Sequence, residues 1–108
     1  MVILFDHSTP APLAARLTGH QITKAKDIGW DRLSNGDLIS AAENAGFEVF
    51  ITADNSIRYQ QNLKGRQLAI VVISTPQWPR VRLHLPKIIA ALSLASTGAY
   101  IEVDIPFE

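Results

Sequence analysis

The sequence contains no cysteine, which excludes disulfides, thiolate chemistry and zinc sites of the cysteine type. It has no net charge, because ten lysines and arginines balance ten aspartates and glutamates. No global field therefore draws the chain to nucleic acid, and any such binding has to rest on a local patch. No apolar run approaches the roughly 20 residues that a membrane helix needs. The first residues read as a strand rather than as a basic segment followed by an apolar signal core. These absences point to a cytoplasmic protein with no membrane partner. Repeats, low-complexity tracts and linkers are missing too, so a single domain over residues 1–108 is expected.

Hydrophobic residues make up 47% of the 108 positions, enough for a modest core. Strand and helix signals alternate. Val2–Phe5 is a continuous apolar run suited to a strand covered on both faces. Thr9 is placed to cap a helix that starts at Pro10, turns Leu13, Ala14 and Leu17 inward and stops at Gly19. A second strand is expected over residues 20–23. Ser34 is an N-cap candidate for a helix over residues 35–45, closed by Gly46. Val49–Thr52 is the third strand, a polar helix follows over about residues 56–64, and residues 68–73 form the most hydrophobic strand. Pro76, Pro79 and Pro86 interrupt a helical segment reaching about Ser96, with a break near Pro86. Residues 100–105 alternate polar and apolar in the manner of a half-exposed edge strand. The pattern predicts a three-layer α/β/α fold around a mostly parallel sheet of about five strands.

Within that fold three aspartates draw notice. Asp6 ends the first strand, Asp54 follows the third, and Asp37 opens a helix. Ligand crevices of open α/β sheets lie beyond the carboxyl ends of the strands. Carboxylates gathered there would hold a hard divalent cation. Each residue also has a local explanation. Asp37 is three residues after Ser34, the capping-box spacing, while Asp54 and Asp6 both suit Asx turns or caps. Three carboxylates sharing a cleft without metal would repel one another, and Asp→Asn at Asp6 or Asp54 would then be neutral or stabilising.

These motifs resemble those of small bacterial PIN-like domains, a branch of the PIN nuclease superfamily. The resemblance covers roughly residues 1–75. It rests on the strand ending in Asp6 and leading through Pro10 into the first helix, on Gly19-His20 before the second strand, on Asp37, and on Thr52-Ala53-Asp54. It implies a Mg²⁺- or Mn²⁺-dependent endoribonuclease, of the toxin type in toxin–antitoxin pairs, with Asp6, Asp37 and Asp54 as catalytic and metal-binding carboxylates. RNA and a cognate antitoxin are the implied partners, and a homodimer is left open. The sequence departs from the pattern at His7 and Ser56, where relatives often carry acidic residues, and Asn55 could supply a neutral oxygen. A site poorer in negative charge leaves a second reading, a catalytically silent interaction module.

RNA binding needs cations and stacking surfaces. Arg58, Lys64 and Arg66 flank the third helix, while Arg80, Arg82 and Lys87 lie in the last helical segment, with Tyr59, Trp78 and His84 nearby. Trp30 and Trp78 also suit partly buried anchors or partner contacts. Ser74 and Thr75 could touch a phosphate, although capping the next helix is the commoner use. A receiver-like phosphoacceptor domain is a weaker alternative, because Asp104-Ile105-Pro106 stands where a lysine at the end of strand five is needed.

Overall fold

A strand buried on both faces needs no alternation, and the uninterrupted apolar runs of this chain take that position. The computed structural model describes residues 1–57 and 65–107. Five strands, β1 (Val2–Phe5), β2 (Gln21–Lys24), β3 (Val49–Thr52), β4 (Ala69–Ile73) and β5 (Tyr100–Val103), form one sheet in the order β2-β1-β3-β4-β5. All four pairings are parallel. The apolar runs of β1, β3 and β4 occupy the three inner places, and β5 takes the edge that its alternation predicts.

Side chains alternate across the sheet and build two cores. On one face Phe5, Ile51 and Val71 meet Leu13 and Leu17, together with residues of α2 (Trp78–Val81) and α3 (Leu85–Leu94) such as Ile88 and Leu92. On the other, Leu4, Phe50 and Ile70 meet Leu38, Ile39 and Ala42 of α1 (Asn35–Asn44). Helices thus cover both faces, and the fold is a three-layer α/β/α sandwich. Each buried Leu, Ile or Phe contributes about 1.5–3 kcal/mol, which makes these two clusters the main stabilising term.

Local signals set the helix ends. The Ser34 hydroxyl accepts the Asp37 N–H at 3.3 Å to start α1, and Gly46, at φ +87°, follows its end in a conformation that favours glycine. The segment after Pro10 differs from expectation. It is a six-residue 3-10 turn, Ala11–Arg16, rather than an α-helix. Its Leu13 and Leu17 nonetheless point inward. The break expected near Pro86 falls just before it, in the 3-10 turn Arg82–His84. The helix expected over residues 56–64 lies, from Arg58 on, outside the described residues. No described helix is long and apolar enough to cross a membrane.

Glu43 of α1 clips the entry to β4. Its carboxylate accepts Arg66 Nη1 at 2.6 Å and the N–H groups of Gln67 and Leu68 at 2.8 and 3.4 Å. Burial opposes its ionisation, but these donors outweigh that and hold its pKa below the usual carboxylate value. A depressed folded pKa stabilises the fold above the unfolded value, and this contribution is lost as pH falls through the folded value. Glu43→Gln is therefore expected to cost about 1–2 kcal/mol at pH 7 and much less at pH 3. Urea unfolding at the two pH values reads the difference, and equal losses at both would show that the charge plays no part.

Candidate functional site

Asp6 follows β1 directly and Asp54 lies two residues beyond β3, so both sit at the carboxyl end of adjacent parallel strands. In the order β2-β1-β3-β4-β5 the chain reverses its direction of winding between these two strands, which is where doubly wound sheets place their ligand crevice.

Asp6 is only 8% exposed and is surrounded by donors. Its Oδ1 accepts the N–H groups of Ser8 and Thr9, each at 3.1 Å, and both hydroxyls at 2.8 Å. Its Oδ2 accepts the Thr52 hydroxyl at 2.5 Å and the Ser8 hydroxyl at 2.9 Å. The single Thr9 hydroxyl proton is shared with the Ile51 carbonyl, 2.7 Å away. Ser8 Oγ in turn accepts the Ala53 N–H at 2.9 Å, and Thr52 Oγ1 accepts the Asp54 N–H at 3.0 Å. Asp6, Ser8, Thr9 and Thr52 thereby stitch the loop after β1 to the end of β3. Thr9, proposed from sequence as a helix cap, spends its hydroxyl here instead.

Asp54 is half-buried. Its Oδ1 accepts the Ser56 N–H at 3.0 Å and hydroxyl at 2.6 Å, and its Oδ2 accepts Asn35 Nδ2 at 2.9 Å. The Ser56 hydroxyl, then Asn35, hold its pKa below the usual aspartate value against the opposing effect of burial. Ser56 thus orients Asp54 through its N–H and hydroxyl without adding charge of its own. Asn35 ties the start of α1 to the same place, and Asp37, exposed on that first turn, uses its N–H to bond Ser34.

The carboxylates of Asp6 and Asp54 therefore have structural partners, whereas Asp37 is engaged through its N–H. Among the described residues no three acidic or histidine side chains group closely enough to hold a metal ion by themselves. Mg²⁺ rarely asks for such a cage, since one or two carboxylates, waters and a substrate phosphate usually suffice. The donor set here fits that sparse mode. Asp54 qualifies best, because it is ionised and accessible and its Oδ2 accepts one bond. Asp6 qualifies least, because its oxygens are already engaged.

The basic residues expected to meet RNA divide differently. Arg66 is paired with Glu43. Arg80 donates to the carbonyls of Ile105 and Pro106 and lies 3.9 Å from the Phe107 ring centre, while Arg82 is exposed. Lys87 donates to the Asp104 carbonyl at 3.2 Å. Arg58, Lys64 and Tyr59 lie outside the described residues. Trp30 packs edge-on against Phe47, and Trp78 packs against the first core with Arg16 at 6.0 Å, so both are anchors. Ser74 Oγ accepts the Ile105 N–H and Thr75 Oγ1 accepts the Gln77 N–H, and both serve the backbone.

Beside Asp6 a cleft of about 350 Å³ opens at the ends of β1 and β2, lined by Asp6, His7, Ser8, Lys24, Lys26 and Pro76 among others. Sequence reasoning missed these lysines. The signal was Lys24-Ala25-Lys26 at the end of the second strand, which was expected over residues 20–23 and lies one residue further along, at Gln21–Lys24. No family model matches the chain, no curated protein is detectably similar to it, and no solved structure matches it. The fold and site define an α/β/α domain with two aspartates linked through Thr52 at its winding-reversal point and a cleft beside Asp6.

Proposed function

We propose that this domain is a cytoplasmic, divalent-cation-dependent ribonuclease acting at the carboxyl ends of β1 and β3, with a cognate antitoxin as its protein partner. The observation that carries this reading is the bridge from Asp6 through Thr52 to Asp54 at the point where winding reverses. Asp54 and the exposed Asp37 are the candidate ligands. Asp6 enters as a positioning residue, because a ligand role has to compete with the Ser8, Thr9 and Thr52 donors already on its oxygens. Mg²⁺ or Mn²⁺ held there would polarise the scissile phosphate and lower the pKa of a bound water. Ser56 and Asn35 keep the Asp54 carboxylate in one direction, so it meets that task without reorganising.

Purified protein is expected to cleave single-stranded RNA with Mn²⁺, and Asp54→Asn to lower the rate on the order of a hundredfold while the fold persists. The asparagine can still accept from Ser56, and a flip of Asn35 restores the remaining bond. Equal cleavage by wild type and variant would identify a contaminating nuclease. The silent interaction module is the second reading, favoured by the saturated Asp6 carboxylate. It predicts no cleavage and, by calorimetry, no Asp54-dependent Mn²⁺ binding.

A further inference from the structure

We propose that the cleft between the ends of β1 and β2 is a phosphate subsite that takes the backbone of single-stranded RNA, with Lys24 and Lys26 as its cations. Lys24 is the last residue of β2 and stands in register with Phe5, which places it beside the chain that turns into Asp6 and His7. Lys26 follows in the 3-10 turn Ala25–Ile28, and both lysines line the cleft. Among the described residues neither lysine side chain has a hydrogen bond or ion pair, whereas Arg66 and Arg80 are committed to Glu43 and to carbonyl groups.

The charge balance favours an anion. Of the residues lining the cleft, Asp6 is the one carboxylate, against two lysines, and its oxygens are covered by donors from Ser8, Thr9 and Thr52. Lysine ammonium groups recognise phosphate as flexible point charges and need no preset geometry. A cleft open to solvent suits a chain passing through better than an enclosed small molecule. His7, exposed at the rim, offers an imidazole edge for a base or a second phosphate. Asp6 belongs both to this cleft and to the network leading to Asp54, so a strand held by the lysines lies next to the proposed reacting centre. The consequence of binding rests on the ribonuclease reading, but the binding itself does not.

The test is fluorescence anisotropy of a labelled 12-nucleotide oligouridine in chelator, across a salt series, with wild type, the Lys24→Gln/Lys26→Gln double variant and Asp54→Asn. The double variant is expected to bind on the order of tenfold more weakly. The slope of log affinity against log salt should shrink by about 1.4, two phosphate contacts at about 0.7 each for a single strand. Asp54→Asn should keep the wild-type salt slope, because it removes no cation. Unchanged affinity and slope in the double variant would overturn the subsite. So would a wild type that binds no oligouridine yet is stabilised by inorganic phosphate through these lysines, since the site would then take the free ion. Lys26→Gln alone, an exposed change, keeps the test open if the double variant folds poorly, with a slope change of about 0.7 expected. Lysine-dependent binding with no Asp54-dependent cleavage would sink the ribonuclease reading and leave the subsite standing.

Discussion

Asp6→Ala is expected to destabilise the domain by about 4 kcal/mol, because it leaves several buried donors without their acceptor. Truncation strands the N–H groups of Ser8 and Thr9 and the hydroxyls of Ser8 and Thr52 around an empty acceptor position, while the Thr9 hydroxyl keeps the Ile51 carbonyl. Leaving buried donors unsatisfied costs about 1–3 kcal/mol each when no water replaces the partner, and water reaches some of these. For a domain whose whole stability is on the order of 5–15 kcal/mol, this is a large share, and the melting temperature should fall by roughly 15 °C. Asp6→Asn should cost less, about 2 kcal/mol, because its remaining oxygen keeps the Ser8 and Thr9 donors while its amide confronts the Thr52 hydroxyl. This reverses the sign expected from three mutually repelling carboxylates, since what surrounds Asp6 is donors. Urea unfolding decides the point, and an Asp6→Asn variant as stable as wild type would restore the repulsion argument.

Thr52→Val should cost about 2–3 kcal/mol although it preserves shape, because Thr52 is fully buried and its hydroxyl works in both directions. It donates to Asp6 Oδ2 and accepts the Asp54 N–H, so the substitution strands an N–H and removes a donor from the carboxylate. A double-mutant cycle of Asp6→Asn with Thr52→Val should show a coupling on the order of 1–2 kcal/mol, because the two side chains share one hydrogen bond. Strict additivity would mean that the Asp6–Thr52 contact contributes nothing. A second readout bears on function. If Asp54 is a ligand positioned through Thr52, Thr52→Val should weaken Mn²⁺ binding by roughly 10–100-fold, the usual cost of losing an outer partner.

The features legible in the chain alone are local or periodic. The apolar runs of β1, β3 and β4 read as doubly covered strands because burial on both faces suppresses alternation. Ser34 and Gly46 marked the ends of α1 because caps depend on a few adjacent residues. The position of Asp6 and Asp54 at strand ends was legible for the same reason, since strand and turn signals meet there. The tertiary structure alone decided which strands are neighbours, because parallel pairing runs through long crossovers and is settled by the packing of both cores. That order brought Thr52 to Asp6 across 46 positions and converted an expected bare carboxylate into a donor-saturated one. It also paired Arg66 with Glu43 and left Lys24 and Lys26 facing a cleft. Which charge is engaged and which is free depends on partners distant in sequence, and spacing along the chain carries no record of them.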